Sequence, residues 1–520
     1  MFNWSAALDA LMQYAGVAPL IGVLAGTVVG FVIGLLPGAS ATMGVALMVP
    51  FTYNFDTTTA IAMLLAVYVS AIWAGSICAI LVNVPGTPAS AATTFDGYPM
   101  SLKGQAGRAL AASSYSSTIG AFASGVILIV LTPVLSKVAL GFGPFETGAL
   151  ALFGLSIVSV LSGGSALKGW AVALVGLLVA TIGQDPQQGV PRFTFGDVHL
   201  LSGVSVIAVL VGIFSIPEAM FLVGRTIKFD IPKRFLGSPF LKWADLRRIM
   251  PTTIRSTVIG SVLGITPAVG PETATFLGYT VAKRFSRHRE NLGKGEIDGV
   301  AASEAASCAV LGAALVPMLA LGIPGSAEAA ALQGGLLIHG IRPGPALYAT
   351  QGGLLWLLLV GFLVAVVAMY FMSLLSTVVS PLILRLPSVV LAVLLVALAI
   401  VGTFSLSNDV FDVYVMFGAG LFSFFLRVFG FSPVPLILSI ILGPLIEVQL
   451  AQAHVSSGSW LATGAGLGGH PIAIVLLVLA VVALGLPLLL RGNDLGSSPD
   501  VGDEDRPFTA TTNSNSRELQ

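Results

Sequence analysis

The stretch Ile61–Pro99 constrains this chain most, because it joins a membrane-length apolar run to a backbone break. Ile61–Val82 has no charged residue and is long enough to cross a hydrocarbon core as a helix. Pro85-Gly86 and then Pro88 follow, so we expect the helix to stop there. Residues 89–94 are small and hydroxyl-rich rather than charged. Broken backbone at membrane depth is tolerated only inside protein or beside a wet cavity, so the break predicts an internal site.

A similar proline–glycine break recurs in the second half of the chain. Gly322-Ile323-Pro324-Gly325-Ser326 follows another long apolar run. Two further breaks, at 36–40 and 266–271, interrupt the apolar blocks 17–51 and 256–282. Matched interruptions in corresponding positions of two halves are typical of the binding sites of membrane transporters.

Composition agrees with a membrane protein. Of 520 residues, 56% are hydrophobic and 9% are charged, with a mean hydropathy of +0.95. Soluble domains carry about 25% charged residues. We therefore predict an all-α polytopic membrane protein. Glycines recur at every fourth position of the first span and predict a close helix–helix contact; they are Gly22, Gly26, Gly30 and Gly34.

Basic residues indicate how the spans are oriented. The segment 224–255 holds eight Lys and Arg against two Asp, so we expect it to be cytoplasmic. A second basic segment, 283–294, follows the block 256–282, which is therefore expected to enter and leave on the cytoplasmic side. No Lys or Arg precedes Lys103, so the block 17–51 should open outward.

The opposite senses of these two blocks predict inverted-topology repeats, the architecture of alternating access. Each repeat would contain Pro/Gly-broken, re-entrant or discontinuous helices. We divide the chain into four parts: a first transmembrane repeat at 1–223, a basic cytoplasmic linker at 224–255, a second transmembrane repeat at 256–490 and a disordered acidic cytoplasmic tail at 491–520.

The broken stretches also carry a family resemblance. They read GLLPGASATMGVALMVPFTY, NVPGTPASAATTFDGYPMSLKGQAGRAL, EAASCAVLGAALVPMLALGIPGS and IRPGP. They resemble the large membrane permease of the bacterial tripartite tricarboxylate transporters (the TctA family), over about residues 16–460. One departure stands at Thr266–Pro271, where the usual second Pro-Gly is absent and the flexible position is displaced to Gly270. The resemblance implies cation-coupled import of a carboxylate, with a small membrane subunit and a periplasmic solute-binding protein as partners.

The residues themselves suggest how an anion would be held. The breaks proper contain no Lys or Arg, so binding would depend on backbone N–H groups at half-helix N-termini, assisted by hydroxyls. Hydroxyl side chains that only bond their own backbone are the alternative. The candidate substrate-binding residues are Pro37, Gly38, Ser40, Thr42, Pro85, Gly86, Thr87, Ser90, Thr273, Pro324, Gly325 and Ser326.

Candidate residues for cation coupling are Asn83, Glu272 and Glu304. A carboxylate inside a membrane is costly unless it is paired, protonated or wet, which favours a functional role. The alternatives are a helix-end cap for Asn83 and helix-start charges for Glu272 and Glu304. Glu328 is equally ambiguous, and Asp96 in Phe95-Asp96-Gly97 is expected to form a turn.

We therefore predict a non-enzymatic, multi-pass protein of the bacterial inner membrane. It would be the permease subunit of a binding-protein-dependent symporter for a di- or tricarboxylate (citrate-like), driven by Na⁺ or H⁺. No other cofactor, no metal and no nucleic-acid partner is expected. An autonomous carrier or channel for another organic anion is the alternative. An intramembrane hydrolase is disfavoured, because no span contains a nucleophile–base constellation.

Overall fold

The protein is almost entirely helical. A computed structural model describes residues 4–36, 38–161, 166–185, 189–224, 238, 240–266, 269–383, 388–457 and 469–489. Across these ranges the sheet consists of one small antiparallel pair, β1 (Gly183–Gln184) and β2 (Pro191–Arg192). The all-α prediction is confirmed. Pro37, residues 225–237 and 239 of the predicted linker, and the tail 491–520 lie outside the described residues.

The helices fall into two series. The first series comprises α1 (Trp4–Tyr14), α2 (Val17–Leu35), α3 (Ala41–Thr52), α4 (Thr57–Val82), α5 (Thr94–Leu102), α6 (Ala106–Ala139), α7 (Pro144–Leu161), α8 (Ala166–Ala180) and α9 (Val206–Gly224). The second comprises α10 (Trp243–Ile265), α11 (Pro271–Phe285), α12 (Ile297–Leu321), α13 (Ala327–Ile338), α14 (Pro345–Thr350), α15 (Gly352–Ile383), α16 (Ser388–Ser407), α17 (Val410–Val428), α18 (Val434–Ser457) and α19 (Pro471–Leu489). Short 3-10 helices cover Pro88–Thr93 and Arg289–Asn291.

Among the described residues, nine helices are long and apolar enough to cross a membrane. They are α2, α4, α6, α9, α12, α15, α16, α17 and α18. In the most apolar 18-residue window of α4, and likewise of α12, 94% of the residues are buried inside the protein. A helix that is apolar all round and buried all round belongs at the centre of a bundle, so α4 and α12 form the core of the protein.

The glycine pattern of α2 is a packing surface, as predicted. A Cβ on Gly30 would lie 2.7 Å from the carbonyl oxygen of Val67, so α2 and α4 touch backbone to backbone. In the second half, a Cβ on Gly264 would lie 2.8 Å from the carbonyl oxygen of Val310, which brings α10 equally close to α12. Small residues at such contacts let helices approach closely in a membrane.

The two halves interleave rather than sit side by side. Helix α6 of the first series packs along α12 of the second, and α15 packs against α4. Ser124 on α6 accepts a hydrogen bond from the backbone N–H of Gly312 on α12 at 3.1 Å. Tyr14 on α1 donates its hydroxyl to the carbonyl of Leu357 on α15 at 2.8 Å. Each central helix is thus covered by helices from both halves.

The predicted span Ile61–Val82 lies within α4, and the predicted block 17–51 contains α2 and nearly all of α3. Helix α10 begins at Trp243, well before the predicted start at 256, so the end of the predicted linker is helical. The first turns of α10 carry basic residues, so a prediction based on apolar runs places the start of the helix too late. The division into four parts, and the cytoplasmic position of 224–255, stay predictions.

Candidate functional site

The break after α4 is held by glycines in close contact. Asn83 ends α4 in the left-handed conformation, with φ 60°. Three residues on, Gly86 donates its backbone N–H to the carbonyl of Gly75 at 3.1 Å. A Cβ on Gly86 would lie 2.8 Å from the Cα of Gly75 and would overlap the carbonyl oxygen of Gly34. Only glycine fits where α2, α4 and this loop meet.

The break after α12 has the same construction. Gly322 ends the helix with φ 81°, and Gly325 donates its N–H to the carbonyl of Ala314 at 3.2 Å. A Cβ on Gly325 would lie 2.8 Å from the Cα of Ala314. Gly325 and Ala314 are separated by the same number of residues as Gly86 and Gly75. The local geometry is therefore repeated in the two halves.

The breaks of the two hairpins also correspond. Leu36 after α2 and Thr266 after α10 share φ −78°, with ψ 122° and 119° respectively. Each donates its N–H to the carbonyl three residues earlier, Ile33 or Leu263, at 3.0 Å. The missing second Pro-Gly does not alter the backbone where α10 ends. Pro267 itself lies outside the described residues.

The predicted hydroxyls largely serve the helix ends. Ser40 caps α3 by accepting the N–H of Met43 at 3.1 Å, and Ser326 caps α13 in the same way. Ser90 donates to the carbonyl of Thr87 at 3.0 Å. Thr273 lies on the exposed face of α11, away from the buried groups. For Ser40, Ser90 and Ser326 the structure thus shows the local bonding that the alternative interpretation expected.

Glu304 lies in a buried cage of hydroxyl groups. Its side chain is 1% exposed, and it accepts hydrogen bonds from Thr93 at 2.5 Å and from Ser117 at 3.1 Å. Ser76 and Ser113, hydrogen-bonded to each other at 2.7 Å, face the same carboxyl group. Four elements supply these groups: α4, the 3-10 helix Pro88–Thr93, α6 and α12. The alternative interpretation of Glu304 as a helix-start charge does not fit, because the residue is buried and lies beyond the first turn of α12.

A second carboxyl site joins the breaks at α3, α11 and α13. Glu272, half-buried in the first turn of α11, interacts with Glu328, which is 3% exposed in the first turn of α13. Thr42 on α3 and Ser326 also face Glu328. One oxygen of Glu328, Oε2, has no hydrogen-bond partner within the described residues.

These carboxyl groups have no basic neighbour in the described parts of the chain. The ion pairs found there leave out Glu272, Glu304 and Glu328. A buried carboxylate without a positive partner is strongly disfavoured unless its charge is neutralised. Oxygen ligands of this kind suit Na⁺ or H⁺. Asn83, by contrast, is exposed at the helix end.

Asp96 has a larger structural role than a local turn. It is fully buried, and its Oδ1 accepts three backbone N–H groups, from Gly293, Gly295 and Glu296, at 2.7–2.9 Å. Its Oδ2 accepts the hydroxyl of Tyr279 at 2.8 Å. Asp96 therefore fastens α5 of the first half to the 286–297 loop of the second. The expected turn at Asp96 is wrong, because the residue lies in the first turn of α5.

Residues 20–438 match the profile of the Tripartite tricarboxylate transporter TctA family. The chain belongs to this family. Among the relatives of this chain, an uncharacterized 52.8 kDa protein in the TAR-I ttuC' 3'region of Agrobacterium vitis is 35% identical over 475 residues, 90% of this chain and 92% of the relative. An uncharacterized protein in the TAR-II ttuC' 3'region of the same organism is 33% identical over 236 residues, 44% of this chain and 94% of that protein. No solved structure matches.

TctA-family membership confirms the resemblance seen in the broken motifs, and with it a non-enzymatic transmembrane transport protein. Family membership alone does not identify the hydroxyl groups that surround Glu304. Ser76, Ser113 and Ser117 went unnoticed in the sequence because serines in a span usually bond their own helix. The signal that could have found them is the serine-rich stretch 113–117 at one end of the long apolar helix α6.

Proposed function

We propose that this TctA-family chain is the large permease subunit of a binding-protein-dependent secondary transporter. It imports a di- or tricarboxylate across the bacterial inner membrane by cation-coupled alternating access. A small membrane subunit and a periplasmic solute-binding protein complete the system. The observation that carries this proposal is a set of carboxyl groups near the helix breaks, buried Glu304 and Glu328 and half-buried Glu272, which form no ion pair within the described residues.

The substrate is proposed to bind at the N-termini of the broken helices. Backbone N–H groups at these ends are unsatisfied by the helix itself and favour anions. Helix α3 has no acidic residue in its first turn, whereas α11 and α13 carry Glu272 and Glu328 there. The two sides of the site therefore differ: α3 attracts a carboxylate, and α11 and α13 attract a cation.

This asymmetry explains why the two solutes would move together. Ionised Glu272 and Glu328 repel an anion from the N-termini of their own helices. A bound Na⁺ or proton removes that repulsion, so the carboxylate binds more tightly once the cation is in place. By linkage, the carboxylate raises the affinity for the cation by the same factor.

Alternating access is supported by the repeated backbone geometry of the breaks. The contacts of Gly86 with Gly75 and of Gly325 with Ala314 provide two equivalent elements, one in each half. If the repeats are inverted, as the distribution of basic residues predicts, one element faces each side of the membrane. Rocking of one half against the other would then expose the site alternately.

Transport assays in proteoliposomes test the coupling. The chain is reconstituted with the small subunit and the binding protein, and uptake of radiolabelled citrate and other di- and tricarboxylates is measured under a Na⁺ or a pH gradient. Glu328→Gln should abolish accumulation against a gradient while leaving counterflow exchange in place, because the neutral amide mimics the cation-bound state. Glu290→Gln, in the exposed 3-10 helix, is the matched control and should accumulate normally.

Normal accumulation by Glu328→Gln would contradict the coupling role of the carboxyl pair. Omission of the binding protein tests the partner proposal separately. Uptake should then fall to a small fraction, and full-rate uptake by the chain alone would show that it works autonomously.

A further inference from the structure

A basic cavity lies away from the carboxyl groups, between α10, α11 and the 286–297 loop. Its volume is 840 Å³. Its lining includes four arginines and two aromatic residues, namely Arg247, Arg248, Arg255, Arg287, Trp243 and Phe285. Four guanidinium groups on one cavity of a protein with so few charged residues indicate an anionic ligand.

The positive charge of this cavity is only partly compensated. Arg248 pairs with Glu296 at 2.6 Å, and Asp298, which also lines the cavity, accepts a hydrogen bond from Ser286 at 2.5 Å. Arg247 and Arg287 are exposed and pair with no carboxylate in the described residues. The cavity therefore keeps a net positive charge that an anion can neutralise.

An apolar stripe continues from the cavity along α10. Ile254, Val258 and Val262 lie one helical turn apart and are 54%, 57% and 61% exposed. In a membrane-spanning hairpin such a stripe faces acyl chains. At the other end, Trp243 is 77% exposed and Phe285 58% exposed, as aromatic side chains are at the level of lipid headgroups. The surface thus changes from apolar to aromatic and cationic within a few turns.

We propose that this cavity binds the phosphate headgroup of an anionic phospholipid, whose acyl chains lie along Ile254, Val258 and Val262. The guanidinium fork matches phosphate oxygens, and basic pockets between membrane helices are known as sites for acidic lipids. A free anion would use the arginines but leave the adjoining apolar stripe without a role.

A metal ion is a poorer fit to the same place. His288, Glu296 and Asp298 offer ligand atoms within 4.8 Å of one another. Arg248 already neutralises Glu296, however, and a cation would sit among four guanidinium groups. The lipid site does not depend on the transport proposal, because it involves none of the groups assigned to the substrate or the coupling ion.

Native mass spectrometry of the detergent-purified full chain tests the proposal. Cardiolipin, phosphatidylglycerol and phosphatidylcholine are titrated in mixed micelles, and lipid-bound species are counted. The double variant Arg247→Gln/Arg287→Gln should bind the two anionic lipids roughly thirtyfold more weakly, with no change for phosphatidylcholine. Arg247→Lys/Arg287→Lys keeps the charge and should retain most of the binding, which separates lost charge from misfolding.

A matched control is available in the neighbouring segment. Lys283→Gln/Arg289→Gln removes the same charge from exposed positions outside the cavity lining and should leave anionic-lipid binding unchanged. An equal loss in both double variants would overturn the site, since it would reduce to general surface charge. Equal stabilisation of the protein by inorganic phosphate and by phosphatidylglycerol in a thermal-shift assay, lost in Arg247→Gln/Arg287→Gln, would assign the cavity to a free anion and overturn the lipid proposal.

Discussion

Replacement of Asp96 by alanine should release the 286–297 loop without unfolding the protein. The side chain accepts four hydrogen bonds, three from backbone N–H groups of the loop and one from Tyr279. Gly293 and Gly295 adopt φ 87° and 91°, so their N–H groups converge on one carboxylate oxygen. Without the carboxylate, those donors lose their acceptor, and the hydrogen bonds that stabilise this loop conformation are lost.

The magnitude follows from this geometry. A hydrogen bond to a charged group contributes about 1.5–3 kcal/mol, and the loop is partly accessible to water that replaces some of the loss. We expect the free energy of local opening to fall by about 3–6 kcal/mol in Asp96→Ala. Asp96→Asn keeps one carbonyl oxygen for the N–H groups but loses the charge. Since charge-assisted bonds are about twice as strong as neutral ones, we expect an intermediate effect.

Hydrogen–deuterium exchange read by mass spectrometry measures this opening directly. Amides of the loop should exchange roughly 10²–10⁴ times faster in Asp96→Ala, while amides of α4 and α12 keep their wild-type protection. Asp245→Ala is the control: it removes an aspartate that pairs with Arg108 at 2.6 Å and whose side-chain hydrogen bonds within the described residues go to Arg108 rather than to the loop. Unchanged exchange of the loop in Asp96→Ala, or equal acceleration in Asp245→Ala, would refute the reasoning.

Three further predictions concern the breaks, the helix packing and the topology. Gly86→Val should abolish transport but not membrane insertion, because the added side chain would overlap Gly34 while the apolar spans are unchanged; uptake and expression assays on the same preparations check this. Gly22→Leu should instead lower the yield of folded protein by size-exclusion chromatography, since a Cβ there would already lie 2.9 Å from the carbonyl oxygen of Thr59. A cysteine at Ser238 should be labelled only from the cytoplasm and one at Val410 only from the periplasm of intact cells; labelling of Ser238 from outside would exclude the proposed inversion.

The sequence predicted the places where the chain breaks better than the contacts made there. Proline and glycine act on their own backbone, so the breaks around Gly86 and Gly325 could be placed from local residues alone. The partners of Glu304 come from α4, α6 and the 3-10 helix, and nothing in the neighbourhood of Glu304 along the chain indicates them. Local propensity predicts a turn at Asp96, because the N–H groups that bond its side chain lie 197–200 positions further along the chain.

The interleaving of α6 with α12 has a consequence for how the protein is made. Ser117 and Glu304 are 187 positions apart, so at about 5–20 residues per second the ribosome needs roughly 10–40 s to supply the second after the first. During that interval Ser117 of α6 must wait in the bilayer or the insertion machinery without the carboxyl group of Glu304 to which it donates. The first half is therefore expected to be a vulnerable target for membrane quality-control proteases until α12 arrives, and slowing translation between the halves should increase its loss.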